Sequence, residues 1–135
     1  MLDILTQAAV DTAPIHIKGA NGEHLYFDGK PVRIVIYGPG STAAAEVEDR
    51  QTARAIKRMT DNDGKFMTPP MELRDAEAAE DLASITVSFE NLAYSAAGDK
   101  TGKDLFRAVY SDKKLGFIAQ QIQKARADWG NFKPG

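Results

Sequence analysis

A Gly-Pro-Gly break at residues 38–40 divides the chain into two regions with different hydrophobic periods. Before it, the pattern is that of strands. Ile15-His16-Ile17-Lys18 alternates apolar and polar, and Asn21-Gly22 supplies the residues a tight hairpin turn requires. His24-Leu25-Tyr26-Phe27 follows, with Asp28-Gly29 as a second turn and Pro31 at the entrance to the next strand. The run from Val32 to Tyr37 is rich in β-branched residues. Because side chains alternate across a strand, Val32, Ile34 and Ile36 fall on one face, the core face, and Arg33, Val35 and Tyr37 on the other. Three short strands joined by two tight turns predict an antiparallel meander over about residues 14–37.

After the break the period becomes helical. Ser41 is placed to cap a helix running to about Met59, ended by Asp61-Asn62-Asp63-Gly64. Residues 65–71, with Pro69-Pro70, read as a loop. A second long helix is expected from near Glu72 to Ala96-Ala97-Gly98, because Leu73, Ala76, Leu82, Ile85, Phe89 and Leu92 recur at spacings that share one stripe. The β-branched run Ile85-Thr86-Val87 weakens that helix locally and leaves a short strand as the alternative. Thr101 and Asp104 have capping-box spacing before a short helix to about Tyr110. Ser111 or Asp112 caps the last helix, in which Leu115, Ile118, Ile122 and Trp129 share a stripe. Ile118, Ile122 and Trp129 are therefore expected to be buried. The fold class is α+β: one domain over residues 1–135, with an N-terminal antiparallel meander and three to four α-helices within about residues 41–132.

A chain of 135 residues is long enough to bury a core without a staple. Apolar residues at 43% and charged residues at 27% are ordinary for a soluble globular protein. The net charge of −2 argues against a nucleic-acid binder, which usually carries a basic face. The absence of cysteine removes disulfides, thiol chemistry and Cys-ligated zinc together. The opening residues carry no basic region of a signal peptide, and no apolar run approaches a membrane span of about 20 residues. The expectation is a soluble cytoplasmic protein that engages neither membrane nor nucleic acid.

The features that might carry chemistry are sparse. Tyr37-Gly-Pro-Gly-Ser-Thr42 joins a strand to a helix N-terminus, where anions are favoured, but it lacks phosphate-loop spacing and the phosphate-binding lysine. Its proline also removes one backbone donor. His16 and His24 sit nearly symmetrically about the first turn and face one another there, yet a zinc site needs a third protein ligand. No serine elbow accompanies either histidine. Glu77, Glu80 and Asp81 share a helical surface and read as its solvated face. The expectation is a non-enzyme without metal or cofactor.

Large apolar side chains are abundant instead. Phe89, Phe106, Tyr110, Phe117, Trp129 and Phe132 fall within the C-terminal part, more rings than a helical pair needs internally. Phe66 and Met67 lie in the proline-containing loop. The candidate partner-binding residues are Phe66, Met67, Phe106, Tyr110, Phe117, Trp129 and Phe132.

These residues also carry a resemblance. The order Pro31-Val-Arg-Ile-Val-Ile-Tyr-Gly-Pro-Gly-Ser41, Val87-Ser-Phe-Glu-Asn91, Leu105-Phe-Arg-Ala-Val-Tyr110, Leu115-Gly-Phe-Ile-Ala119 and Asp128-Trp-Gly-Asn-Phe132 resembles tail assembly chaperones of long-tailed bacteriophages and prophages. The resemblance covers about residues 31–132. It implies an α+β protein of the host bacterial cytoplasm that coats the tape measure protein, recruits the major tail protein, forms homo-oligomers and is absent from the finished virion. Many such proteins are made in two lengths by a programmed frameshift. The resemblance supplies no catalytic residue. A structural tail or head–tail connector protein, retained in the virion, is the alternative.

Overall fold

The computed structural model describes residues 1–135. Its strands are β1 (Thr12–His16), β2 (Tyr26–Phe27), β3 (Lys30–Pro31), β4 (Arg33–Tyr37) and β5 (Thr86–Glu90). Its helices are α1 (Thr42–Asp61), α2 (Met71–Ser84), α3 (Gly102–Ser111) and α4 (Gly116–Ala127), with four short 3-10 turns between or beyond them. The α+β class read from the sequence is the fold observed.

The main sheet is antiparallel with spatial order β1-β4-β5, and β2 and β3 form a separate two-stranded hairpin. Register places Ala13 opposite Ile36 and Ile15 opposite Ile34. Ile34 and Ile36 are fully buried and Val32 nearly so, whereas Arg33, Val35 and Tyr37 are only partly covered. The alternation in the sequence therefore identified the core face correctly. The hairpin turn after β2 has Asp28 and Gly29 both at positive φ, the conformation that favours glycine and tolerates aspartate.

The second helix differs from its expected extent. α2 stops at Ser84, and Thr86–Glu90 is a strand pairing with β4. Strands are thus not confined to about residues 14–37, and Ile85, Phe89 and Leu92 do not extend a helical stripe. The β-branched run decides the outcome. Thr86 and Val87 lose side-chain freedom in a helix but fit a pleated sheet, and β4 offers an unpaired edge for them. Ile34 then faces Phe89, and Arg33 faces Glu90 with an ion pair at 2.7 Å. A register shift between Val35 and Ile36 accommodates the strand.

Local capping follows the sequence at one helix and departs from it at another. Ser41 adopts extended backbone and accepts from the Ala44 amide at 3.1 Å, starting α1. Thr101 caps α3 with its backbone only. Asp104 turns away from the cap to meet Arg107 at 3.0 Å, so the expected capping box does not form. The Asp112 side chain accepts from the Lys114 amide at 2.9 Å and opens the 3-10 turn leading into α4.

One face of the sheet and α2, α3 and α4 enclose a single core containing Ile17, Ile34, Ile36, Leu82, Ile85, Val109, Ile118, Ile122 and Phe132. Ile118 and Ile122 are buried as expected, but Trp129 is 58% exposed. The cause is a change of helix type. α4 ends at Ala127, Asp128 caps a 3-10 turn over Trp129–Phe132, and the tighter winding brings Phe132 inward and leaves Trp129 outside.

Within this core Tyr110 carries a buried hydroxyl. The Thr86 hydroxyl donates to the Leu82 carbonyl at 2.8 Å, so the 2.7 Å contact between Tyr110 and Thr86 has Tyr110 as donor. Burial pushes the Tyr110 phenol up to about 12. A phenol whose folded value is raised contributes stability that is complete below about pH 10 and lost as pH rises through about 12. Two units amount to about 2–3 kcal/mol. At neutral pH, Tyr110→Phe should cost about 1 kcal/mol for the lost hydrogen bond. The order should reverse between about pH 10 and 12, the variant becoming the more stable at the alkaline end. Urea unfolding of both proteins from neutral to alkaline pH reads the crossing.

Candidate partner-binding surfaces

α1 buries a single residue, Val47, although it is twenty residues long. Charge attaches it to α2. Arg50, Arg54 and Arg58 recur every four residues and therefore share one face of α1, while Glu77 and Asp81 share one face of α2. Asp81 accepts from Arg50 at 3.0 Å, from Arg54 at 2.9 Å and from Gln51 at 3.1 Å. Glu77 pairs with Arg58 and lies 3.5 Å from Arg54. Asp81 is buried, its side chain only 5% exposed. On a neighbouring face of α2, Glu80 meets Lys103 and Arg107, both at 2.6 Å. The Lys103 ammonium, helped by the Arg107 guanidinium, holds the Glu80 carboxyl below its ordinary value against desolvation. The three carboxylates read from sequence as a solvated face are thus the ties that hold α1 and α3 to α2. Repeated spacing on both helices was the available signal.

Between α2 and α4 lies a groove of about 940 Å³. Small residues floor it: Ala76, Ala79, Gly116 and Ala119, with Leu82 and Tyr110 at its base. Glu72, Asp75, Lys113 and Lys124 stand along its rim. Residues without long side chains allow another backbone to approach closely. The open width between two helices suits a third.

A smaller cleft of about 370 Å³ separates α1 from α2. Met59, Phe66, Met67 and Pro69 contribute its apolar lining, and it meets the larger groove at Ala78 and Gln123. Phe66 is 81% exposed and Met67 45% exposed, so both present apolar surface to solvent.

The seven candidate residues separate into two groups. Phe66, Met67 and Trp129 are exposed, with Trp129 resting near Gly40. Phe106, Tyr110 and Phe132 are buried, and Phe117 is half-buried against the core. Phe106 stacks at a tilt on Phe89 with centroids 4.7 Å apart. The supposed surplus of rings is largely absorbed by the core, because β5 adds a third strand for them to cover. Sequence reading did not single out Met59, Met71, Leu73 or Ile56 as surface, yet all are exposed.

His16 and His24 do face one another, stacked with ring centroids 4.2 Å apart. Stacked rings aim their nitrogens in parallel rather than at a common point, and His16 Nε2 lies 2.9 Å from the Leu25 carbonyl. No group of three or more His, Cys, Asp or Glu side chains is arranged to hold a metal ion. No helix is long and apolar enough to cross a membrane. Comparisons with protein-family models, with curated proteins and with solved structures return no match for the chain.

Proposed function

We propose that this protein is a tail assembly chaperone of a long-tailed bacteriophage or prophage, acting in the host cytoplasm without catalysing a reaction. The observation that carries the reading is the small-residue groove between α2 and α4, continuous with the Phe66–Met67 cleft. A tape measure protein is long and helical, with apolar stripes that aggregate when bare. Such a stripe fits a groove floored by Ala76, Ala79 and Ala119 and walled by charges of both signs, the helix-in-groove mode of recognition. The sequence order that resembles this family supports the same reading. In it, self-association repeats the groove along the tape measure protein, and the major tail protein is recruited to the coated complex.

Calorimetric titration of the protein into a soluble tape measure fragment tests the proposal. Burial of apolar surface should give a negative heat-capacity change and a weak dependence on salt. Ala76 is exposed on the groove floor, so Ala76→Trp should fill the groove and abolish binding while leaving thermal stability nearly unchanged. Failure to bind any fragment, together with detection of the protein in mature particles by mass spectrometry, would overturn the proposal in favour of a structural tail or connector role.

A further inference from the structure

Residues 1–10 are exposed throughout, yet they carry Met1, Leu2, Ile4, Leu5 and Val10. Leu2 and Ile4 are each 71% exposed and Leu5 76%. The segment has its own local order. Asp3 caps a 3-10 turn over Ile4–Gln7, accepting from the Leu5 amide at 3.1 Å, and the Thr6 hydroxyl donates to the Asp3 carbonyl at 2.8 Å. That turn holds Ile4 and Leu5 side by side in solvent. A bond from the Val10 amide to the Phe132 carbonyl, 2.8 Å, ties the segment to the body before β1 begins.

A matching receptor lies elsewhere on the same chain. A groove of about 900 Å³ runs beneath the β2–β3 hairpin, and 11 of its 14 lining residues are hydrophobic. Tyr26 and Phe27 form one wall and Leu92, Tyr94, Leu115 and Phe117 contribute the others. The volume falls within the range of about 300–1,000 Å³ typical of sites that enclose a bound group. Tyr26 and Phe27 are 62% and 69% exposed, so the wall is bare. Asp3 is the one charged side chain in residues 1–10, and Lys114 at the groove rim, beside Asp112 in the same lining, forms no ion pair within the chain and is available to a carboxylate from outside.

We infer that residues 1–5 of one copy dock in the hairpin groove of a second copy, with Ile4 and Leu5 entering the apolar groove and Asp3 meeting Lys114 at its rim. Anchoring makes the contact one between copies. Val10 is hydrogen-bonded to Phe132, whose ring lies against Gly38, and the Gly38 amide donates to the Asp11 carbonyl, so the segment is pinned at the Gly38 end of β4, whereas Val32 in the groove lining lies at the opposite end. Gly38 and Val32 are separated by about 20 Å at ordinary strand rise, more than the roughly 17 Å that Leu5 can reach from Val10 even fully extended. Donor and acceptor are different surfaces, so the contact is heterologous and propagates from copy to copy as a ring or an open array. The inference deepens the self-association in the proposed function by naming the surfaces that meet. It does not involve the α2–α4 groove, so titration with a tape measure fragment reports on that groove alone.

Sedimentation of the full chain and of two variants, Leu5→Asp and Phe27→Asp, tests the inference. Both sites are well exposed, so circular dichroism and melting should remain those of the parent. The parent should associate increasingly with concentration. Each variant alone should associate at least about tenfold more weakly, as expected when a central apolar anchor is lost. Mixed together, they should form a one-to-one dimer that grows no further, because Leu5→Asp retains an intact groove and Phe27→Asp an intact segment. In addition, Lys114→Asp should weaken association and Asp3→Lys in the same chain should restore it. A parent that stays monomeric, variants that associate like the parent, or a mixture that forms no dimer would each overturn the inference.

Discussion

Replacing Phe132 with alanine should destabilise the protein by about 3–5 kcal/mol, the range for removing a fully packed aromatic ring. Replacing Trp129, three residues earlier, should cost under about 1 kcal/mol. Phe132 has no exposed surface, whereas Trp129 is 58% exposed. The Phe132 ring fills the space above Gly38, where an added Cβ would come within 2.7 Å of it. Gly38 thus does more than end β4, since its missing side chain makes room for the ring. Gly38→Ala should therefore cost about 1–3 kcal/mol through overpacking, from the opposite side of the same contact. The main-chain carbonyl of Phe132 also holds the Val10 amide, which anchors the entry to β1. Urea unfolding of the three variants decides the matter. Equal losses for Trp129→Ala and Phe132→Ala would contradict the burial pattern.

That contrast also shows where sequence reading reached its limit. The period of α4 correctly places Ile118 and Ile122 in the core, because both lie within one regular helix. Carrying the same period to Trp129 fails because a 3-10 turn advances a different angle per residue. Short-range chemistry was legible in the same way: Ser41 as a cap, the turn at Asp28-Gly29, and the core face of β4. What the sequence hid was long-range. β5 exists because β4 has an edge some 50 residues earlier that accepts it, and periodicity within residues 72–96 contains no information about that edge. Of the candidate surface, Phe66 and Met67 were legible as apolar residues in a proline-containing loop. The α2–α4 groove was not, because it consists of alanines and a glycine whose significance appears only when two helices set them opposite each other.

The charged tie between α1 and α2 was missed for a related reason, and it yields the second large effect. Asp81→Ala should destabilise the protein by about 3 kcal/mol, the lower part of the range for breaking a buried ion pair. The lower part applies because Arg50 and Arg54 remain 35% and 21% exposed, so water partly compensates them. The cost has two sources. Arg50, Arg54 and Gln51 lose their shared acceptor. Arg126, already half-buried and with its guanidinium pushed below its ordinary value by desolvation, loses the nearby carboxylate that offsets that effect. Removing a cation together with the anion should relieve part of the penalty, so Asp81→Ala combined with Arg54→Ala should cost less than the sum of the two single changes. The contacts should also be lost when α1 opens locally. α1 buries only Val47 and depends on these contacts to stay against α2, so its amides should exchange with solvent faster in Asp81→Ala under native conditions, alongside those of β4, which report the loss of global stability. Hydrogen exchange resolved to individual amides measures both. Acceleration in β4 with α1 unchanged would show that opening of α1 leaves the Asp81 contacts intact, so that they do not seat the helix.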